Sequence, residues 1–414
     1  MEVAQDSIMN VEILNAKLRK EAWHNTFWAK YAGFVDISND DNGNPIYTPT
    51  GKPIEMLKQF MPEGRDNMLI PFLKYLTGDP TFGDTVLKGT GEQMALRWLR
   101  TYVNQSRKAV MKRSGKMSEQ RLKWTKLYNQ AKPLLVDYFA KLENQNVFRA
   151  FYEGVSWELS KGDNYDGLGL VKRYHPNWYY LSAATTISAV GTAKYFKTAA
   201  NLDTALAAIT GFETTIDILR KLRVLCMRLK LPQIVTKKGY KFWMLIVHPD
   251  THRRIKEDTD YKAAVRAAFN AKMLDEPELH GAVDVIEGFA IFEDIVGIRA
   301  WDGTNKYLFG DTFVLSTEPS VLGTSTNSIV VGGSAIGKGI AESLHFTQEI
   351  DDHENTIEIG GAMVNGYNRA DFVAEADAGE VSGDAFYKKN AAAAVSAALA
   401  STNQSSLILM TDEN

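Results

Sequence analysis

The stretch Gly332 to Gly339 contains the residue types that come closest to a chemical site. It reads GGSAIGKG and fits G-x-x-x-x-G-K, in which backbone N–H groups and a lysine cradle phosphates. It follows a predicted strand and opens a predicted helix from Ala335 to Leu344. Gly339 stands where a hydroxyl would hold Mg²⁺, and no later run of parallel strands follows. A tight turn is the default interpretation, and a phosphate- or nucleotide-binding enzyme using the Gly332–Lys338 turn remains the alternative.

A second candidate is the pair His248 and His252, which lie four residues apart with Asp250 between them. On a regular helix this spacing would suit two metal ligands. Pro249 and the end of a strand argue against a regular helical turn there, and no third ligand is evident. We therefore expect no metal, no cofactor and no catalytic residue in this protein.

Composition limits the class of protein. The chain has 414 residues, of which 45% are hydrophobic, so it can bury a substantial core. Its 47 basic and 50 acidic residues give a net charge of -3, which argues against general nucleic-acid binding. Cys226 is the single cysteine and permits no internal disulfide. With no secretory signal and no apolar run long enough for a bilayer, we expect a globular protein of a reducing cytoplasm, or of a particle assembled there.

Charge is strongly segregated along the chain. Residues 97–126 are rich in lysine and arginine, with Glu119 as the lone acid, and residues 342–380 are rich in acids, with Arg369 as the lone base. A solvated face is the usual explanation of such a run. A partner's acidic surface and a nucleic acid are the alternatives for the basic block.

The element that must position these blocks is a long helix from Ser118 to Val155. Its apolar residues recur three or four apart, which is the pattern of one helix face. Pro133 removes one internal hydrogen bond and predicts a kink. We interpret this helix as a scaffold that packs on a core, with no chemistry of its own.

Strands are predicted on both sides of this helix. Met68 to Tyr75 and the alternating residues around Trp98 predict a hairpin-like loop. The continuous apolar run Tyr240 to Val247 predicts a strand at the centre of a sheet. Val283 to Ile298 predicts two short strands around Gly288.

Helices are predicted to alternate with these strands. The spacing from Leu202 to Leu229 predicts two helices divided at Gly211, and Asp250 and Asp260 are expected to cap two further short helices. Strands mixed with helices indicate an α+β domain beginning near Asn201.

The two ends of the chain are harder to interpret. Residues 1–60 suit either a flexible leader or an arm ordered by a neighbouring molecule, and their aromatic residues favour the arm because they need burial. These residues are Trp23, Phe27, Trp28, Tyr31 and Phe34. Residues 381–414 predict one weak helix from Ala385 to Ala400 with fraying beyond it.

Taken together, the motifs resemble the major capsid proteins of tailed bacteriophages, in the family typified by coliphage N-four. The resemblance covers roughly residues 65–375. It rests on TGDPTFGDTVLKGTGEQMAL, the helix start SEQR, YKFWMLIVHPDTHRRIKED, GFAIFED and VVGGSAIGKGIAE. A cellular nanocompartment shell of the same fold and a nucleic-acid-binding virion protein are the rival interpretations.

The resemblance implies the α+β Hong Kong 97 fold and a division of the chain. The expected segments are an N-terminal arm (1–64), an E loop and its base (65–117), a P domain with the spine helix (118–200), an A domain (201–345), a return to the P domain (346–380) and a C-terminal tail (381–414). The implied function is self-assembly, as hexamers and pentamers, into an icosahedral phage head that encloses double-stranded DNA without sequence-specific binding. The implied partners are a portal protein and a scaffolding or decoration protein. No membrane is involved, and the head would be assembled in the bacterial host cytoplasm.

Within that framework, the two charged blocks are predicted to meet across subunits. A shell built from many weak ion pairs would set its register by repetition around a closed ring. The predicted basic contact residues are Arg107, Lys108, Lys112, Arg113, Arg121, Lys123 and Lys126. The predicted acidic contact residues are Glu349, Asp351, Asp352, Glu354 and Glu358.

Overall fold

The structure is a computed structural model of the chain. It describes residues 26–39, 45–58, 67–73, 96–111, 127–156, 175–189, 213–261, 282–294, 325–351, 356–373, 401–403 and 405–412. The helices in these residues are a 3-10 helix Phe27–Tyr31, α1 Leu127–Glu153, α2 Ile216–Arg228 and α3 Pro249–Glu257.

The strands lie on both sides of α1 in the chain. They are β1 Ala32–Phe34, β2 Asp36–Asn39, β3 Pro45–Thr48, β4 Ile54–Lys58, β5 Asn67–Leu73, β6 Leu96–Tyr102, β7 Asn104–Met111, β8 Trp178–Ala183, β9 Thr186–Ala189, β10 Ile234–Val235, β11 Lys241–Val247, β12 Asp284–Ile286, β13 Phe289–Glu293, β14 Ser325–Val331, β15 Ile336–Asp351, β16 Thr356–Arg369, β17 Asp371–Val373, β18 Ser401–Asn403 and β19 Ser406–Asp412.

A five-stranded sheet in the order β1-β4-β15-β16-β7 lies under helix α1. Its centre is the antiparallel hairpin of β15 and β16, which begins with Ile336 opposite Arg369. Strand β4 joins β15 in parallel, and β7 joins β16 antiparallel. Phe139 of α1 meets Phe346 of β15 edge to face, with ring centroids 6.5 Å apart. The apolar face of α1 therefore packs on this sheet, as expected of a scaffold helix.

An eight-stranded sheet contains β11 at its interior, in the order β12-β13-β11-β14-β19-β8-β9, with β10 also paired to β11. Alternate residues of β11 enter two different clusters of buried side chains. They are Phe242, Met244 and Ile246 on one side and Trp243, Leu245 and Val247 on the other. Because both faces are covered, the strand is apolar throughout, and its predicted central position is confirmed.

One cluster joins the two sheets to the end of α1. Trp28 is fully buried, and its ring lies 5.4 Å from that of Phe148 and 5.5 Å from that of Phe151. Tyr31 is buried with it, whereas Phe34 is 57% exposed. The flexible-leader interpretation is therefore wrong for residues 26–35 and 53–57, which pack on the chain itself. Trp23 lies outside the described residues.

The spine helix is confirmed from Leu127 to Glu153, with Pro133 inside it. Residues 118–126 lie outside the described part of the chain. The predicted hairpin-like loop is also confirmed, because β5 and β6 pair antiparallel from Asn67 opposite Tyr102 to Leu73 opposite Leu96. Its TGDPTFGD turn is not among the described residues.

The predicted strands around Gly288 are β12 and β13, which form a tight antiparallel hairpin. Glu287 and Gly288 occupy its turn with φ of 53° and 83°, the left-handed conformation that such a two-residue turn needs. Helix α2 confirms the second helix predicted beyond Gly211, whereas the first, in residues 202–212, falls outside the described ranges. The same applies to most of the helix expected after Asp260.

The predicted cap Asp250 is wrong. His248 is the N-cap of α3, because its Nδ1 accepts a hydrogen bond from the Asp250 N–H at 3.3 Å. A histidine ring can place an acceptor where serine or aspartate normally does, and Pro249 at the first helical position is favourable.

The predicted helix from Ala335 to Leu344 is wrong, because these residues belong to β15. Gly337 and Gly339 weaken a helix, and the strand has partners on both edges, β4 and β16. Sheet pairing outweighs the weak helical spacing of this stretch.

The expectation of a fraying C-terminus is wrong for residues 401–403 and 405–412. Strand β19 lies between β14 and β8 inside the eight-stranded sheet. Leu407 to Met410 are at most 1% exposed. The predicted helix Ala385 to Ala400 falls outside the described ranges.

Candidate functional site

The backbone N–H groups of the Gly332 turn already have acceptors within the chain. The pairs are Gly332 with the carbonyl of Ser405 (2.7 Å), Gly333 with Pro232 (3.1 Å), Ser334 with Lys52 (2.7 Å), and Ala335 and Ile336 with Pro53 (2.8 and 3.0 Å). The following residues form strand β15, so the turn does not open a helix. A phosphate would have to displace these internal bonds, and the alternative of a nucleotide-binding enzyme is not supported.

The glycines of this turn are explained by close approach of other backbone segments. A Cβ on Gly332 would lie 2.3 Å from the carbonyl oxygen of Pro232. A Cβ on Gly333 would lie 2.6 Å from the carbonyl oxygen of Gly51. The turn is therefore a junction where several chain segments meet.

The carboxylate of Glu55 occupies the other side of this junction. Its oxygens accept hydrogen bonds from the N–H and hydroxyl of Thr50, the N–H of Gly51 and the hydroxyl of Ser334. Glu55 is fully buried, and this burial raises its pKa despite the four donors. The carboxylate of Glu55 therefore occupies the place that a bound phosphate would take at this turn.

Lys338, the lysine of the phosphate-binding pattern, forms a buried ion pair. Its Nζ lies 2.8 Å from Oε2 of Glu143 on α1, with side chains 5% and 9% exposed. The Nζ also lies 4.9 Å from the ring centroid of Tyr367. Asn365 donates from Nδ2 to the second oxygen of Glu143. Lys338 therefore connects the spine helix to the sheet.

Arg107 and Lys108 are exposed on β7, an edge strand of the five-stranded sheet. Lys108 Nζ lies 5.6 Å from the ring centroid of Tyr138 on α1, a cation–π contact. The other predicted basic contact residues lie outside the described ranges. They are Lys112, Arg113, Arg121, Lys123 and Lys126.

The acidic contact residues lie near the end of the β15–β16 hairpin. Glu349 and Glu358 are directly opposite each other, and Asp351 is opposite Thr356. Glu349 is exposed, and no ion pair joins either glutamate to another described residue. Asp352 and Glu354 are outside the described part of the chain. Like charges directly opposite each other repel, so this pair favours a cation from elsewhere.

The described basic residues on β7 and the described acidic residues on β15 and β16 belong to the same five-stranded sheet of one subunit. Strand β16 pairs with β15 on one edge and with β7 on the other, so Glu358 lies opposite Met111 of the basic strand. Arg107 lies opposite Ala362, four residues further along β16. The sequence did not indicate that the two blocks are neighbours within the subunit.

His252 is 1% exposed and lies between two carboxylates. Its Nε2 is 3.1 Å from Oδ2 of Asp284, and its Nδ1 contacts Glu293. Tyr261 donates to the same oxygen of Asp284. Hydrogen bonds from His252 and Tyr261 hold the pKa of Asp284 below its usual value, against the effect of burial. Within the described ranges, no group of three or more histidine, cysteine, aspartate or glutamate side chains is arranged to hold a metal ion.

Further buried polar groups hold the C-terminal strand and the end of β16. His175 contacts the Ser406 hydroxyl through Nε2 at 2.8 Å and accepts the Asn177 N–H through Nδ1. Arg369 pairs with Asp371, both fully buried, at 2.6 Å between Nη2 and Oδ2. The contact between His175 and Ser406 was missed from the sequence, because its partners lie 231 residues apart and leave no local pattern.

Cys226 lies in the buried face of α2, as its apolar surroundings predicted. Burial raises the pKa of its thiol, which disfavours the reactive thiolate. The helices among the described residues include none long and apolar enough to cross a bilayer.

Comparison with solved structures shows the fold. The capsid of Ralstonia phage GP4 is 14% identical, with a TM-score of 0.59 over 94% of this chain and 91% of that one. The cyanophage Pam1 capsid is 15% identical, with a TM-score of 0.53 over 93% and 92%. The acid-stable capsid of Helicobacter pylori bacteriophage KHP30 is 9% identical, with a TM-score of 0.53 over 94% and 91%. The expected α+β fold of Hong Kong 97 type is confirmed.

Comparison of sequences gives the family. No curated protein matches the chain. The family model described as phage capsid protein matches residues 3–388, which is nearly the whole chain. The chain belongs to the phage capsid protein family.

Proposed function

We propose that copies of this chain assemble as hexamers and pentamers into the icosahedral head of a tailed bacteriophage around double-stranded DNA. The observation that carries the proposal is the family match over residues 3–388. The division into arm, E loop, P domain, A domain and tail belongs to the proposal, as do a portal partner, a scaffolding or decoration partner, and assembly in the host cytoplasm. The motifs of the sequence support a place near the coliphage N-four type.

The described surface supports the proposed contact between subunits. Arg107 and Lys108 are exposed on an edge strand, and Glu349 and Glu358, which form no ion pair with another described residue, lie opposite each other near the end of a hairpin in the same sheet. Two such surfaces on neighbouring copies would be complementary in charge. Each exposed pair contributes about 0 to 1 kcal/mol, so the contact acts through repetition around a ring. Lys112 and Arg113 extend the basic strand in sequence and belong to the same proposed surface.

Light scattering and electron microscopy of the purified protein test the proposed function. Capsomer rings or closed shells of megadalton mass are the expected particles. A protein that remains a monomer or small dimer across protein concentration and salt, with or without the virus's other head proteins, would overturn the proposal. Adding a nucleoside triphosphate should leave the thermal unfolding temperature unchanged, because the Gly332 turn is internally bonded.

A further inference from the structure

Helix α2 and the hairpin that follows it carry basic charge without acidic residues. Residues 218–249 contain eight lysine and arginine side chains and no aspartate or glutamate, and the structure describes all of these residues. The eight are Arg220, Lys221, Arg223, Arg228, Lys230, Lys237, Lys238 and Lys241. This run of charge is separate from the basic block of residues 97–126.

Carboxylates among the described residues neutralise the first part of this run. Lys221 Nζ lies 2.6 Å from Oδ2 of Asp217. Arg220 and Arg223 each lie 3.3 Å from an oxygen of Glu287. Four later side chains are exposed and form no ion pair with another described residue. They are Arg228, Lys230, Lys237 and Lys241.

The end of α2 and the start of β11 lie side by side. Trp243 of β11 donates from Nε1 to the carbonyl of Leu231, just beyond the helix, at 3.2 Å, and it packs in the same group of buried side chains as Cys226 of α2. Side chains alternate along a strand, so Lys241 is on the same face of β11 as Trp243, the face that α2 covers. Helix and hairpin therefore contribute to one group of cations, the α2-end cluster, which consists of Arg228, Lys230, Lys237 and Lys241.

The tip of the β10–β11 hairpin is open to a large ligand. Residues 237–241 are all exposed, and no described atom comes within 4 Å of the position that a Cβ of Gly239 would take. Two bonds to Thr236 hold the shape of the tip: the Gly239 N–H donates to its carbonyl (2.9 Å), and the Tyr240 N–H donates to its hydroxyl (3.1 Å). A preformed tip loses little conformational entropy on binding. Its lysine and tyrosine side chains are donors that suit phosphate oxygens.

Lys230 has a backbone conformation that glycine usually provides. Its φ is 54°, and its N–H donates to the carbonyl of Met227 at 3.1 Å, while the Leu231 N–H donates to that of Cys226 at 3.0 Å, which closes α2. A side chain at this left-handed position costs stability. A cation there offsets part of the cost through its attraction to the helix dipole. The dipole does not account for the two lysines that belong to the hairpin.

We propose that the α2-end cluster binds the phosphate backbone of the double-stranded DNA that the head encloses, so that this side of the subunit faces the interior. The inference rests on the proposed function, which supplies the DNA. Double-stranded DNA carries one negative charge per about 1.7 Å of its axis, so neighbouring cations can each meet a phosphate. Such contacts carry no sequence information. They need only a local surplus of cations, which is compatible with a net charge of -3 for the whole chain.

An acidic segment of another protein is the alternative ligand. Met227 and Val235 are 52% and 55% exposed, and they are neighbours of the cluster, since Met227 precedes Arg228 and Val235 is paired with Lys241. Apolar side chains suit a protein partner better than a phosphate backbone. DNA is favoured because the exposed residues 237–241 include no aliphatic apolar side chain.

Fluorescence anisotropy of a short labelled DNA duplex with unassembled, full-length subunits provides the test. Between about 50 and 200 mM salt, the logarithm of the binding constant should fall against that of the salt concentration with a slope of about -3.6 for four phosphate contacts. Lys237→Ala with Lys241→Ala should make this slope shallower by about two, and should weaken the binding of two unrelated duplexes equally.

The matched control removes the same net charge elsewhere. Lys221→Ala with Arg253→Ala replaces cations that are already paired with Asp217 and Glu257, and should change the slope by less than about one. Equal slopes for the two double variants, or no measurable DNA binding by the wild type, would overturn the proposal.

Lys230→Gly separates binding from a purely structural role. Because glycine relieves the left-handed strain, this variant should bind DNA more weakly without a lower thermal unfolding temperature. Unchanged binding with a lower unfolding temperature would mean that Lys230 serves the helix dipole alone, and would contradict the cluster. Polyglutamate that binds at least as tightly as DNA would overturn the proposal in favour of an acidic protein partner.

Particle yield distinguishes a failure of this inference from a failure of the proposed function. Lys237→Ala with Lys241→Ala should still give particles in normal yield, because the cluster contacts DNA and not another subunit. Loss of particles in this variant would assign the cluster to a contact between subunits and overturn the inference. DNA binding through the cluster by a protein that forms no particles would overturn the proposed function alone.

Discussion

The ring of Phe139 on α1 lies 2.6 Å from the position that a Cβ of Gly361 would occupy on β16. Gly361 is therefore a point of close approach between the spine helix and the sheet. Among the described residues, its neighbour Gly360 has only the Thr347 hydroxyl nearby, at 3.2 Å from such a Cβ. The spacing between α1 and the five-stranded sheet therefore depends on the absence of a side chain at Gly361, and not at Gly360.

Gly361→Ala is expected to lower the unfolding free energy of the subunit by about 1–3 kcal/mol, because the added methyl overpacks the core against Phe139. Urea unfolding of unassembled subunits measures this change in the unfolding free energy. Gly360→Ala is the matched control and should change the unfolding free energy by less than about 0.5 kcal/mol, or increase it slightly. Adding Phe139→Leu to Gly361→Ala should recover part of the loss. Equal stability of both alanine variants would contradict the close contact.

Leu409→Ala is expected to cost about 2–5 kcal/mol, because it leaves a cavity in the interior of the eight-stranded sheet. Leu409 is 1% exposed on β19, whereas Val235, also in a strand, is 55% exposed. Val235→Ala is therefore the control and should cost less than about 0.5 kcal/mol. Soluble yield and the midpoint of urea unfolding distinguish the two. A tolerated Leu409→Ala would mean that β19 is not part of the core.

Acid is expected to destabilise the subunit through His175. Burial, and then the nearby Arg369, hold the pKa of His175 well below its usual range, so the folded protein keeps it neutral. In the unfolded chain a histidine takes up a proton below a pH of about 6.5. The unfolded state then binds more protons than the folded state, so this contribution to stability is present above that pH and is lost below it.

The variant His175→Gln tests this assignment, because a glutamine can still accept from Asn177 and donate to Ser406. Its unfolding free energy should depend less steeply on pH between about 7 and 5 than that of the wild type. Other titrating groups are common to both proteins and cancel in the comparison. Parallel pH profiles would show that His175 does not carry the effect.

Reversal of charge on the proposed subunit contact is expected to reduce the yield of particles while the subunit stays folded. Lys112→Glu with Arg113→Glu places repulsion on the basic side. Glu349→Lys with Glu358→Lys should do the same on the acidic side, and the combination of all four should restore part of the yield. Lys237→Glu, an exposed charge on another element, is the control. Normal yield from the first double variant, measured by sedimentation of particles, would exclude this pairing.

Local patterns in the sequence predicted the elements that carry their own signal. The run from Tyr240 to Val247 is apolar on both faces because both faces are buried, and Gly288 marks a turn that needs its backbone conformation. The spine helix followed from its spacing. These parts of the fold depend on neighbours in the chain and were predictable for that reason.

The elements that were predicted wrongly depend on distant partners. Residues 336–344 have a weak helical spacing, but β4 lies on one edge of them and β16 on the other. Leu407 to Met410 form a short apolar stretch whose partners are β14 and β8. Lys338 fitted a phosphate-binding pattern, and only the position of Glu143 shows its actual contact. Pairing of this kind is not encoded in any window of adjacent residues.

The position of β4 beside β15 has a consequence for how fast the subunit can form. Ile54 is paired in parallel with Ile336, and β19 is paired in parallel with β8, so both sheets close only when distant parts of the chain have met. The entropy of closing such long loops must be lost before the pairing stabilises anything. Folding is therefore expected to be slow and to pass through partly formed intermediates with unpaired strand edges. A substitution that touches no contact between subunits can then reduce the number of particles by delaying the supply of folded protein.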